Sequence, residues 1–126
     1  AMTVIIQRLQ QMVTLPIGIN VLRNDAQSAL AIATCVQAQF IRVNVWTGIM
    51  ATDQGLIEGR AHELMRYRRE LGSDVKIFAD VLVKHARPLG SVNLTTAVQD
   101  TIERGLADAV ILSGWATGDP PNLEDL

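Results

Sequence analysis

The chain has 126 residues, 48% of them hydrophobic and 19% charged, with a formal net charge of −2. That length suits one compact domain or a piece of a larger one, and it falls well short of the ~250 residues of a complete β/α barrel. The apolar share excludes a disordered chain. No apolar run approaches the ~18 residues of a membrane span, the longest being the five from Ala29 to Ala33.

The eleven basic residues are scattered apart from Arg66, Arg68 and Arg69, which fall on one helix. With five aromatics (two Trp, one Tyr, two Phe) and no basic excess, the composition argues against a nucleic-acid binder. The single cysteine, Cys35, cannot form an internal disulfide or a cysteine-based zinc site, and it fits a reducing, cytoplasmic setting. Ala1-Met2-Thr3-Val4 lacks the charged region and cleavage site of a signal peptide, and an Ala ahead of Met suggests a trimmed chain or an internal fragment.

Apolar periodicity alternates between helical and strand character along the chain. Val4, Ile5, Leu9, Met12 and Val13 recur at helical spacing, and Pro16 closes that segment. Ile17 to Leu22 reads as a buried strand. Asn24 and Asp25 offer capping oxygens to a helix from about Ala26 to Gln37, apolar nearly all round and with Cys35 expected in the core. Phe40 to Val45 is the next strand. A long connection then runs from Trp46 to Glu58, readable as a lid or as a docking surface. Arg60 to Leu71 forms an amphipathic helix with Ala61, Leu64, Met65 and Leu71 inward, and Gly72 suits its left-handed end. His62 falls on the outer face of that helix.

The second half repeats the plan. Val75 to Val81 is a third strand, Lys84 to Val92 a loop, and Asn93 a cap for a helix from Leu94 to Arg104. That helix carries Ala97, Val98, Thr101 and Ile102 on one face and stops at Gly105. Ala109 to Leu112 is a fourth strand, leading into Ser113-Gly114-Trp115-Ala116-Thr117-Gly118. Strands separated by helices pair in parallel with right-handed crossovers, so the fold class is α/β.

Either a small doubly wound sheet or part of a barrel satisfies that pattern. Residues two apart on a strand share a face, which pairs Gly18 with Asn20, Arg42 with Asn44, Phe78 with Asp80, and Ile111 with Ser113. Each strand thus carries a polar residue near its C-terminal end, where barrel enzymes build their sites. This favours a partial β/α barrel of about four units.

The candidate residues follow from that placement. Asp80 is the prime acid–base or ligand-orienting group, with a structural ion pair to Arg42 as its alternative. Lys84 could neutralise a phosphate and His85 could move protons, unless both merely face solvent. Asn20, Arg23, Asn24, Arg42 and Asn44 are candidate ligand contacts. Ser113 and Gly114, with Thr117 and Gly118, could cradle an anion. Lys76, four residues before Asp80, belongs to the opposite rim. The two histidines lie too differently to make a metal site, so neither metal nor cofactor is implied. A four-unit piece would also expose sheet edges and so favour self-association.

Several segments carry a resemblance: Asn20-Val21-Leu22-Arg23-Asn24-Asp25, Phe40-Ile41-Arg42-Val43-Asn44-Val45, Thr52-Asp53-Gln54-Gly55, Phe78-Ala79-Asp80-Val81, Val83-Lys84-His85-Ala86 and Ser113-Gly114 through Gly118. Together they are similar to the BtpA family, from end to end of the chain. The resemblance implies a ribulose-phosphate-binding-like TIM (β/α)8 barrel, of which this chain would be the central piece holding the third to sixth strands. It implies photosystem I reaction-centre proteins as partners and peripheral attachment to thylakoid membranes. The alternative is a metal-independent enzyme or sensor for a phosphorylated sugar or nucleoside-like molecule.

Overall fold

A computed structural model of the protein describes residues 1–83, 86–114 and 120–121. Helix α1 (Met2–Met12) precedes strand β1 (Gly18–Ile19), α2 (Ala26–Val36) and β2 (Phe40–Val43). Strands β3 (Ile49–Thr52) and β4 (Gly55–Glu58) follow, then α3 (Ala61–Glu70) and β5 (Lys76–Asp80). The chain continues through β6 (Ala86–Pro88), α4 (Leu94–Gln99), a π-helical turn (Asp100–Arg104) and β7 (Ala109–Ile111).

Four of the strands form a parallel sheet in the order β1-β2-β5-β7, which follows the chain without reversal. Alternation along each strand then divides the side chains. Ile19, Ile41, Val43, Ile77 and Ala79 face the helices and are buried with Ala29, Leu30 and Ala33 of α2, Ile6 of α1 and Ala61 of α3. Side chains of the size of Leu30, Ile41 and Ile77, all fully buried, each contribute about 1.5–3 kcal/mol on leaving water. The opposite sheet face carries Phe40 and Phe78, stacked with ring centroids 4.5 Å apart and planes at 18°. Both rings are only half-buried, since the core helices pack against the other face.

Local chemistry explains the element ends. The Asp25 carboxylate caps α2 by accepting from Ser28 N at 3.0 Å, and hydrogen bonding from the Ser28 side chain first, then from its amide, holds the Asp25 pKa below the usual carboxylate range. Asn93 caps α4 by accepting from Thr96 N at 2.8 Å. Gly72, at φ +59, supplies the left-handed residue after α3.

Several expectations need correction. The segment from Trp46 to Glu58 is not an open connection: β3 and β4 pair as an antiparallel hairpin around Asp53 and Gln54. The Lys84 to Val92 loop contains β6, which pairs with β3 and makes a three-stranded antiparallel sheet. The alternation of Ile49, Met50, Leu56 and Ile57 is too short to announce strands without that cross-pairing. Cys35 is exposed, not in the core, because α2 buries Ala29, Leu30, Ala33 and Val36 and turns position 35 away. Leu71 is 36% exposed and so does not face inward as the helical pattern suggested, and of the residues placed on one face of the next helix Thr101 is buried while Ile102 is 44% exposed. In α1 only Ile6 is buried, leaving Val4, Ile5, Leu9 and Met12 on the surface.

Lys76 lies at the start of β5 and bonds to Asp108 at 3.2 Å, away from the strand tips. Arg68 reaches the same carboxylate at 3.0 Å and the Ile77 amide donates to it at 2.9 Å. Burial pushes Asp108 up, but the Ile77 amide and the two cations outweigh it and the net pKa is lowered.

Candidate functional site

Beyond the C-terminal ends of the parallel strands, the β3–β4–β6 sheet overhangs a cleft of ≈ 530 Å³. Arg23, Asn24, Arg42, Asn44, Asp80 and Ser113 line it, with Thr52, Asp53 and Ile57 from the hairpin opposite. The strand-end residues converge because parallel register places them at one end of the sheet: Arg42 sits beside Phe78, and Asp80 beside Ile111.

Asp80 and Arg42 are the centre of this arrangement. The Asp80 side chain is 2% exposed and that of Arg42 is 45% exposed. Arg42 Nε donates to Asp80 Oδ1 and Nη2 donates to Oδ2, both at 2.9 Å. Asn44 Nδ2 donates to the same Oδ2 at 2.8 Å. The hydrogen bond to Asp80 raises the Arg42 pKa above its ordinary value despite partial burial, so the guanidinium stays charged at any working pH.

Asn20 joins from just beyond β1: its Nδ2 donates to the Arg42 carbonyl at 2.9 Å and to Asn44 Oδ1 at 3.3 Å. Asn24 is bonded to both polar groups of the Val45 backbone. Arg23 reaches Asp53 at the tip of the hairpin, with 3.2 Å between Nη1 and Oδ1.

Of the residues singled out by sequence, Asn20, Arg23, Asn24, Arg42, Asn44, Asp80 and Ser113 are therefore brought to one end of the sheet. The ion pair offered as the alternative role of Asp80 is present. Gly114 is buried and lines an adjoining cavity of ≈ 600 Å³, which shares Ser113 with the cleft and is walled largely by Val81, Leu82, Val92, Leu94 and Leu112. Lys84, His85, Thr117 and Gly118 lie outside the described residues. Sequence reasoning missed Thr52, Asp53 and Ile57 as part of the cleft wall. The signal was the turn-forming Thr52-Asp53-Gln54-Gly55 between two short apolar runs.

Among the described residues, no group of three or more His, Cys, Asp or Glu is arranged to hold a metal ion. No helix among them is long and apolar enough to cross a membrane.

The BtpA family model matches residues 1–126. The chain belongs to the BtpA family. Over its full length it is 80% identical to the photosystem I biogenesis protein BtpA of Synechocystis, of which it covers 44%. Uncharacterised proteins of Thermococcus kodakarensis and Methanocaldococcus jannaschii are 52% and 51% identical over all 126 residues, which make up 48% of each. The chain thus spans about half the length of these BtpA-family relatives. No solved structure matches it significantly.

Proposed function

We propose that the protein serves photosystem I biogenesis as a BtpA-family factor, with these residues forming the central strand–helix units of a β/α barrel. The observation that carries the reading is the 80% identity, across the whole chain, to the Synechocystis protein of that name. The barrel rests on parallel strands running in chain order and on core helices packed against one sheet face. A doubly wound sheet would reverse its order and cover both faces. Photosystem I reaction-centre proteins are the proposed partners, met from the cytoplasmic side by peripheral attachment to the thylakoid.

A chimaera tests this directly. These residues replace the matched segment of BtpA in a Synechocystis strain lacking its own copy, and photosystem I is measured by its chlorophyll and reaction-centre subunits. The expected result is restoration to the level given by intact BtpA; a level no higher than in the deletion strain sinks the reading.

A second reading has its own supporting observation, the Arg42–Asp80–Asn44 network inside a ligand-sized cleft. On this reading the protein is an enzyme or sensor for a phosphorylated sugar or nucleoside-like molecule. Asp80 and His85 would serve as acid–base groups, Lys84 as the anion contact, and Asn20 and Asn44 as orienting amides. Fold resemblance alone is a weak warrant for chemistry, so the test is ligand-induced thermal stabilisation against a panel of phosphosugars and nucleotides.

A further inference from the structure

We propose that Arg42 is the contact for the oxyanion, carboxylate or phosphate ester, of a small organic ligand in this cleft, and that Asp80 is the positioning residue that holds its guanidinium. The proposal rests on the small-molecule reading and changes the roles within it. A guanidinium has a side edge, Nε with Nη2, and an end edge, Nη1 with Nη2, and either can pair with two oxygens at once. Asp80 occupies the side edge, with both contacts at 2.9 Å. The end edge has no protein partner among the described residues, and Arg42 lines the cleft with nearly half its side chain exposed.

The state of Asp80 points the same way. Its carboxylate is buried and accepts three hydrogen bonds, two from Arg42 and one from Asn44. A group whose oxygens are taken up in this way fixes the plane and direction of Arg42. Apolar residues commonly stabilise a fold as well as such a pair does, so orienting a cation toward the cleft accounts for its presence. A lysine could not replace the fork.

The surroundings define the rest of the ligand. Asn20 does not line the cleft itself but spends its Nδ2 on the Arg42 carbonyl and on Asn44 Oδ1 and so steadies both. Arg23 is held to Asp53 by one contact of 3.2 Å between side chains 44% and 71% exposed. An exposed pair of this kind is weak, so Arg23 can leave Asp53 for the same oxyanion. Leu22, Ile57, Val83 and Ile111 give the cleft an apolar side for a carbon skeleton.

The test is an NMR titration that resolves the arginine Nε–H and asparagine amide signals of the intact chain. The probes are inorganic phosphate, succinate, glucose 6-phosphate and, as the uncharged control, glucose. The expected result is saturable shifts of the Arg42, Asn20 and Asn44 signals with one or more of the three anions and none with glucose. Comparing phosphate with succinate identifies which oxyanion is preferred. Arg42→Lys, which keeps the charge and loses the fork, should weaken binding by about tenfold or more, and Arg23→Gln by less. Should Arg42→Lys fail to fold, the wild-type shifts and Arg23→Gln still decide. Anion shifts confined to Arg66, Arg68 and Arg69, or affinity unchanged in a folded Arg42→Lys variant, would overturn the proposal. Glucose binding in the cleft without any anion would overturn it while leaving the small-molecule reading standing. Cleft signals unmoved by all four probes would overturn the proposal, and the absence of any stabilisation by the phosphosugar and nucleotide panel would end the small-molecule reading as well.

Discussion

Asn24 holds Val45 as a neighbouring strand would, accepting from the Val45 N–H at 2.7 Å and donating to its carbonyl at 2.8 Å. The residue does so from a left-handed backbone, φ +54, a conformation that asparagine tolerates better than most side chains. The clamp joins the loop after β1 to the residue following Asn44, at the edge of the cleft. Asn24→Ala leaves both Val45 groups without this partner and should cost about 1–3 kcal/mol. The measurement is the urea midpoint at constant slope; no change in midpoint would mean the clamp contributes nothing to stability.

Breaking the Asp80–Arg42 pair has a different signature. Asp80→Asn should destabilise by about 1–3 kcal/mol, below the range for fully buried pairs because Arg42 keeps water on its outer side. The double substitution Arg42→Met with Asp80→Leu should recover much of that loss, since neither charge is then left unpaired. A double variant no more stable than Asp80→Asn would indicate that the pair itself is a major support of the fold.

Acid should weaken the fold partly through Asp108, whose pKa is lowered in the folded chain. The unfolded carboxyl titrates near about 3.9, so on acidification the unfolded state takes up the proton first and stability rises with pH. The contribution is complete above the unfolded value and disappears as pH falls through the lower folded value. Asp25, also lowered, adds a slope of the same sign. Asp108→Asn should reduce stability at neutral pH and flatten the acid limb of a stability–pH curve; an acid limb as steep as wild type would exclude Asp108 as a source.

Gly59 is required by close backbone approach. A Cβ there would lie 2.5 Å from the Trp46 carbonyl oxygen and 2.6 Å from Thr47 N, neither of which can swing aside. Trp46 is itself fixed, 1% exposed and donating from Nε1 to Gly105 O at 2.8 Å. Gly59→Ala should therefore cost about 1–3 kcal/mol and quench or shift the buried-indole fluorescence. Gly18→Ala, whose Cβ would meet the Phe40 ring, should cost less because a side chain can move. Equal melting temperatures for Gly59→Ala and wild type would refute the contact.

Much of the architecture could be read from the sequence because its signals are local. Asp25 and Asn93 cap helices through bonds that span three residues. Gly72 ends α3 through its own backbone angle. The strands Phe40–Val43 and Lys76–Asp80 announce themselves by apolar runs, and strand periodicity pairs Arg42 with Asn44 and Phe78 with Asp80, each pair on one face of its own strand. That is why Asn20, Arg42, Asn44, Asp80 and Ser113 form a legible group of strand-end polar residues in the sequence.

What the sequence could not supply was pairing over distance. The β3–β4–β6 sheet exists because Met50 meets Ile57 in a hairpin and Pro88 in a later segment, and no local pattern announces the second partner. Exposure of Cys35 likewise depends on which stripe of α2 meets the sheet, and an all-round apolar helix does not say; Ile102 falls in the π-helical turn Asp100–Arg104, where α-helical spacing no longer applies. The same holds for Asp80: its residue type permits acid–base chemistry, whereas three donors arriving from β2 and its end leave it to hold Arg42. Residue identity and spacing are properties of the chain; the partner of a buried charge is decided only when separate segments meet.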